Sequence, residues 1–480
     1  MNFWTKSFLF FFVYSLAIGF AVQWWIVPHV FPHWDSGNGL IKEHDWVTYH
    51  QLAVDMAARM KQNGWKEWSL FVNYWIEPGV AAFIYYFTVP KPWVLLPLNA
   101  LIHAATGVLT IHIVYLFYPN KKVALIGSLP FVFFPSALLW VTQMHKDGFF
   151  ILGSVLFLWA WLLILESEKT KFNPFLMLGL VWIGLGISFA SRSYLSPAYL
   201  FLSLIFVSFH CSKKALSFLK FRTLPRREVA FCLFLFASLF WQKSYFRTET
   251  SPELVISKPV AHEKPSAQVK KVSPPKPVQE RKPMVESEVK LTEEEIILIK
   301  NRGWVPSPWI PDFIDAKLYH LATVRDGFLR TTFGRSNFDT DVHFKNSFEV
   351  LAYLPRAFQV ALFGPFPESW LQKGSTEHNG TFKKLAGLEM LFVYLMFPFF
   401  LLSCAMNWRR PSFLALLLFC GSFLWLYASS SPNFGTLHRF RYFYLMLITG
   451  LGFAQLTSFF YEKDSVRLPR LRLRRSYGTE

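Results

Sequence analysis

The chain has 480 residues, 53% of them hydrophobic and 19% aromatic, with only 17% charged and 53 phenylalanines. So much aromatic bulk with so little charge excludes a soluble domain and makes this an integral membrane protein. The formal net charge of +18 is no nucleic-acid signature, because the cations gather in short loops between apolar stretches and in the tail, with no nucleic-acid-binding motif beside them. Cys211, Cys232, Cys404 and Cys420 lie in or beside apolar stretches and offer neither a disulfide framework nor a metal-ligand spacing.

A spanning helix needs about 20 mostly apolar residues. In chain order the candidates are 7–27, 93–118, 123–141, 148–165, 174–190, 194–209, 229–243, 388–406, 411–429 and 438–460. The first lacks a small-residue cleavage site and ends in Gln23-Trp24-Trp25, an interfacial belt, so it reads as a retained helix. The fold expected is an all-α polytopic membrane protein of about ten spans. With the N-terminus cytoplasmic, ten spans place every plainly basic loop in the cytoplasm: Asn120 to Lys122, Cys211 to Arg227, Asn407 to Arg410, and the tail Arg467 to Arg475. Both termini are then cytoplasmic, and the expected location is a bacterial inner membrane. The apolar segment 79–89, bracketed by Pro78 and Pro90-Lys91-Pro92, would invert every later loop if it crossed, and reads as a re-entrant or interfacial helix.

Two outer segments follow from this topology. The first, 28–92, holds an amphipathic stretch from Tyr49 to Gly64, then the interface-seeking Trp65, Trp68, Tyr74 and Trp75. It belongs to an N-terminal membrane module, 1–243. A linker with a short helix, 244–300, comes next: 250–290 is rich in Pro, Lys and Glu and reads as disordered, and Thr292 to Lys300 as helix. Residues 301–387 form an ordered outer region, in which Phe348 to Phe363 is expected to lie on the membrane as an amphipathic helix broken at Pro355. Three spans and the basic tail complete the chain over 388–480. No internal repeat is evident.

Every loop with chemically capable groups falls on the outer side. Asp45, in Glu43-His44-Asp45-Trp46, suits a general base or a metal ligand; the plainer reading is a solvated acid or helix cap. Asp35 is its rival, and His44 and His438 are secondary candidates. Asp147, after His145-Lys146, either caps the following helix, worth about 0.3–1 kcal/mol, or shares a site with Asp45. Arg192, Arg439 and Arg441 lie near outer helix ends, where the positive-inside trend does not call for them. With Lys146 and Tyr194 they suit an anionic ligand such as a lipid phosphate; the plainer reading is snorkelling to the interface. Asp339-Thr340-Asp341 is a DxD, a spacing used for divalent cations, but a lone one in a loop reads first as a turn.

These features together resemble membrane glycosyltransferases of the GT-C superfamily, of the protein-mannosyltransferase kind, which take sugars from polyprenyl-phosphate carriers. An Asp follows the first span (Asp45) ahead of an outer helix (Tyr49 to Gly64). A Pro-Gly-x-Ala stretch with aromatics comes next (Pro78 to Tyr86), then a long helix, a basic turn, a helix ending in Pro-x-x-Leu (Pro135 to Leu138), and an acid (Asp147). The likeness covers roughly residues 1–210. It implies that Asp45 is the catalytic carboxylate and that Asp147 shapes the site or binds a metal; Lys146, Arg192, Tyr194, Arg439 and Arg441, read from their own positions, are then the candidates to hold the lipid phosphate. A divalent cation stays open, because Lys146 stands where many relatives carry a second acid or a neutral residue and can itself neutralise a phosphate. The partners implied are a polyprenyl-phosphate-linked sugar donor, a glycan, lipid or protein acceptor, and membrane lipids.

Three other readings compete. A lipid-linked oligosaccharide polymerase or ligase shares this topology, and Lys-Asp at 146–147 also occurs in such polymerases. A lipid-glycan transporter would carry its ionisable groups near the midplane in broken helices, often with internal symmetry. A structural envelope protein fits the linker but leaves the paired acids and outer arginines without a role.

Overall fold

A computed structural model of the chain describes residues 1–42, 45–72, 75–166, 173–221, 303–331, 336–372 and 377–461. The expected linker at 250–290, the helix at 292–300, the apolar stretch 229–243 and the basic tail lie outside these residues, as does His44. Among the described residues there are isolated β-bridges but no strand, and the fold is all-α. Among the described residues, seven helical stretches are long and apolar enough to cross a membrane: Phe3–Val30, Pro92–Phe117, Asp147–Leu165, Pro174–Ser212, Gly380–Asn407, Pro411–Ser430 and Phe434–Tyr461.

Helix α1 (Phe3–Phe20) starts at Asn2, whose side chain accepts the Thr5 N–H at 2.9 Å, and continues in wide π turns to Val30. Helices α2 (Asp45–Asn63) and α3 (Ile76–Phe87) pack on each other around a core of their own, with Tyr49, Ala53, Met56, Ala82 and Tyr85 at its centre. At 12 residues α3 is about 18 Å long, well short of the roughly 30 Å hydrocarbon layer. Then come α4 (Leu96–Phe117), α5 (Lys121–Phe133, capped by Asn120), α6 (Pro135–Thr142) and α7 (Asp147–Leu165). The break between α5 and α6 falls at Phe134, held extended by the proline that follows it.

Helices α8 (Pro174–Arg192) and α9 (Ser196–Phe221) share one apolar stretch but run in opposite directions. Tyr199 of α9 reaches back to Ser188 at 3.2 Å and to Ser154 of α7 at 2.6 Å, while Phe206, farther along, packs edge-on against Trp161 and tilted against Phe157, farther down α7. The remaining helices are α10 (Asp312–Thr331), α11 (Ser347–Ala352), α12 (Leu354–Phe363), α13 (Pro367–Trp370), α14 (Glu377–Asn407), α15 (Pro411–Ser430) and α16 (Phe434–Tyr461).

Without a hydrophobic difference between lipid and side chain, membrane helices associate by close packing at small residues. A β-carbon on Gly184 of α8 would stand 2.6 Å from the Phe157 backbone nitrogen, and one on Gly450 of α16 would stand 2.1 Å from the Gly127 carbonyl of α5. These two seams align α7 with α8 and α5 with α16.

The ends of the bundle are chemically segregated. At one end Glu166, closing α7, accepts Ser412 Oγ at 2.5 Å and lies 3.4 Å from Arg410, which also donates to Leu116 O at 2.8 Å. Trp4 stacks on His112, and Lys122 lies over the Tyr461 ring, so the beginning of α1 and the end of α16 share this basic end. The other end carries Asp147 and everything described in the next section.

The structure corrects the expectation for 348–363. The helix breaks at Tyr353, which leaves Pro355 in the first turn of α12, where its missing N–H costs little. One face of α12 packs into the bundle, while Leu354, Pro355 and Gln359 stay exposed. Phe358 faces Gly421, halfway along α15, and Phe363 packs on Tyr394 and Phe397, halfway along α14. The C-terminal carbonyls of α12 therefore sit deep among the spanning helices, where no water can pair them. Arg441 supplies the donors: it is fully buried and donates to Val360 O at 2.9 Å, Ala361 O at 2.5 Å and Gly364 O. Arg325, also fully buried, fixes the preceding region by donating to Asp339 O, Val342 O and Ser429 O, the last at the end of α15.

Replacing Gly450 by Leu should force α5 and α16 apart at a cost of about 1–3 kcal/mol. The expected result is a clearly lowered thermal midpoint in detergent, whereas Gly179→Leu, where the added side chain meets open space, should leave it unchanged.

Candidate active site

Asp147 is the first residue of α7 and is 2% exposed. A bare carboxylate so buried would be costly, and the chain surrounds it with cations. Arg192, the last residue of α8, donates to Oδ1. Arg439, early in α16, brings its Nε to 3.3 Å from Oδ2. Three helix ends thus converge on one side chain. His145 Nδ1 is 3.0 Å from Oδ2 and accepts the Asp147 backbone N–H at 3.2 Å. Burial pushes the His145 pKa down to about 3 despite the pull of Asp147, so the ring is neutral and shapes the pocket without contributing charge.

Arg192 is itself fixed by aromatic faces, its guanidinium lying 4.0 Å from the Phe440 ring centre and 4.8 Å from that of Phe150, with a 3.4 Å hydrogen bond to Tyr427 Oη. Arg439 Nη1 stands 3.8 Å from Asp45 Oδ2, so one guanidinium links the two acids that sequence reasoning placed on the same side. The Asp45 side chain is 54% exposed, at the mouth of the cluster. Lys146 is half-buried and makes no ion pair with a described residue; burial, followed by Arg192, lowers its pKa. Two carboxylates, Asp45 and Asp147, therefore face three cations, Arg192, Arg439 and Lys146.

The loop before α2 is docked onto this platform. Gln143 accepts the Ile41 N–H at 3.2 Å and donates to Gly39 O at 3.3 Å, while Gln23 donates to Thr142 O at 2.6 Å. Gly39 has φ +78°, and a β-carbon there would sit 2.1 Å from Gln23 O, so only glycine allows the approach. Asp35 is taken up by this loop, accepting the N–H groups of Gly37 at 2.8 Å and Gly39 at 3.1 Å, which makes it a turn former.

The other candidates separate. Arg441 is committed to the α12 carbonyls and is not part of the cluster. Tyr194 is 60% exposed. His438 meets Ser136 Oγ at 2.7 Å and Glu389 Oε2 at 3.0 Å, and Glu389 also accepts the Ser136 N–H and Oγ–H at the start of α6. The trio is not a hydrolase triad, because acid and serine approach the same ring nitrogen, whereas Nδ1 faces Arg441 at 3.4 Å. It caps α6 and ties it to α14 and α16. Asp339 of the DxD has φ +47° and is held by Arg356 at 2.8 and 2.9 Å and by Tyr353 Oη at 2.6 Å, so it is a turn anchor. No three His, Cys, Asp or Glu side chains among the described residues form a metal-binding group, and the Arg439 guanidinium contacts both Asp45 and Asp147.

Sequence reasoning missed Glu77. It lies in the first turn of α3, is 5% exposed, and neither of its oxygens has a hydrogen-bond partner. Burial raises its pKa to about 7, against the opposing pull of its own backbone N–H and Lys146. Tyr49, buried on α2, has its pKa raised by burial and then by the charges of Asp45 and Glu77. The signal for Glu77 was present as an acid opening an apolar segment that holds no other charge. Comparison with family models, characterised proteins and solved structures finds no match.

Two outcomes follow from this geometry. Arg441→Ala strands buried carbonyls and should prevent accumulation of folded protein, whereas Arg439→Ala, on the site side of the same helix, should accumulate near the wild-type level; quantitative blotting with size-exclusion chromatography reads both. Glu77 holds its proton to about pH 7 when folded but releases it near 4.5 when unfolded. Wild-type stability should therefore fall as pH rises between those values, and Glu77→Gln should flatten that dependence in thermal melts taken across the range.

Proposed function

We propose that this protein is a GT-C-like membrane glycosyltransferase that moves a sugar from a polyprenyl-phosphate carrier to an acceptor hydroxyl at the Asp147 end of the bundle. The observation that carries the reading is Arg439 joining Asp147 to Asp45, with Arg192 and Lys146 alongside: a surplus of fixed positive charge at the ends of apolar helices. That chemistry fits a lipid phosphate whose tail lies between helices and whose headgroup sits at the interface. Asp45, exposed at the mouth, orients the acceptor hydroxyl. Lys146, Arg192 and Arg439 stabilise the departing phosphate, and Asp147 positions both arginines. A single displacement inverts the anomeric centre. No step here requires a metal ion.

The same reading sets the topology. Read with two crossings in the α8–α9 reversal and one in α5 with α6, the described helices give nine crossings, and the span expected from sequence at 229–243, outside the described residues, would make ten. The basic end then faces the cytoplasm with both termini, and the charged cluster faces the outside of a bacterial inner membrane. Cell-surface glycan assembly is the setting this suits. A lipid-linked oligosaccharide polymerase or ligase is the second reading, favoured by the ordered region at 303–372 with its cleft of 410 Å³ beside Asp326 and His343, which offers room for a longer glycan.

The test is transfer from labelled polyprenyl-phosphate sugars in membranes carrying wild type, Asp45→Asn or Asp147→Asn. Loss of activity by about 100-fold or more in both variants at normal expression is the expected result. Transfer at the wild-type rate in both sinks the mechanism. Movement of a preassembled glycan but no single sugar selects the second reading.

A further inference from the structure

Each buried acid among the described residues has an evident employer except one. Asp147 is held by Arg192 and Arg439, Glu389 by Ser136 and His438, and Glu166 by Ser412 and Arg410. Glu77 has none, although it is 5% exposed and both oxygens are shut off from solvent. Leaving a polar group buried and unpaired costs about 1–3 kcal/mol, and the packing of α3 gives no reason to bear it. Ala81, Ala82 and Tyr85 supply its core contacts, and Gly79 supplies its close approach to the Leu70 carbonyl.

The surroundings of Glu77 are those of the charged cluster. Lys146 from the loop before α7, Asp147 at the start of α7 and Arg192 at the end of α8 act on it electrostatically, and Tyr49 of α2, whose ring lies 5.0 Å from that of Trp75 just ahead of α3, feels the charges of Asp45, Glu77, Arg439 and Asp147. Asp45, by contrast, is more than half exposed and stands 3.8 Å from the Arg439 guanidinium.

We infer that, within the transfer reaction proposed above and resting on it, Glu77 is the general base that takes the acceptor's proton. As the acceptor oxygen bonds to the anomeric carbon, its proton passes to the Glu77 carboxylate. The bond from that carbon to the carrier phosphate breaks, and its electron pair stays on the phosphate oxygen, which Arg192, Arg439 and Lys146 receive. As product leaves and water enters the vacated site, Glu77 gives the proton to that water, and Asp45 keeps the task of orienting the hydroxyl. A base works best when its pKa lies near the working pH, and burial places Glu77 at about 7.

The experiment measures transfer against pH in membranes carrying the full chain, with labelled polyprenyl-phosphate sugars and hydroxyl acceptors, for wild type, Glu77→Gln, Glu77→Asp and Asp45→Asn. Glu77→Gln should lower kcat by about 10²–10⁴-fold with little change in donor KM, and should erase the rise in rate centred near pH 7. Glu77→Asp should recover part of kcat, and the residual activity of Asp45→Asn should retain that pH limb. An active wild type whose kcat and pH limb survive in Glu77→Gln overturns the assignment of Glu77 and leaves the transferase reading standing. A wild type inactive with every donor removes the reading and this assignment with it.

Discussion

The buried pair between Asp147 and Arg192 is the constraint around which the charged end of this molecule is organised. A carboxylate and a guanidinium removed from water are tolerated only when each satisfies the other and further groups complete the set. Here completion comes from Arg439 on α16 and from the aromatic faces of Phe150 and Phe440. Because the partners stand on the ends of three different helices, the pair fixes where those helices may end. The glycine seams then follow: α7 and α8 must run close enough for their termini to meet, and Gly153 and Gly184 allow it, each leaving room for the other's carbonyl.

Charge placed this way is also preorganised. Arg192 cannot swing away, since its guanidinium is stacked and bonded on several sides, and Arg439 is held by two acids. An incoming phosphate would meet dipoles already oriented, which is where electrostatic stabilisation is most effective. Lys146, half-buried beside them, makes no ion pair with a described residue. The site thus combines a rigid floor with one cation that no described acid pairs.

Much of this was legible in the sequence, and the reasons for the exceptions are physical. Spanning stretches declare themselves by length and apolarity, and the segregation of basic from mixed loops placed Asp45, Asp147 and Arg192 at one end before any coordinates. Arg439 and Arg441 read alike on paper. They are two residues apart on one helix, however, which turns them by about 200°, so one reaches the acids and the other reaches the back of the bundle. Phe348 to Phe363 has the alternation of an interfacial helix, and only the position of Phe358 against mid-α15 shows where it goes. Glu77 escaped because a single acid in a short apolar segment reads as the segment's edge, and the orphaned state of its oxygens is a property of packing. The expected linker and the expected span at 229–243 lie outside the described residues.

The Arg441 cap has a consequence for how the protein is made. Residues 347–370 leave the ribosome well before residue 441 does, and until then the carbonyls closing α12 have no donor within the bilayer. The segment must wait at the interface or in the translocation machinery, and it can settle among the helices only after α16 has been synthesised and has brought its guanidinium into place. Assembly of the middle of this chain is therefore templated by its end, so a nascent chain halted before α16 would present an unfinished hairpin to quality control.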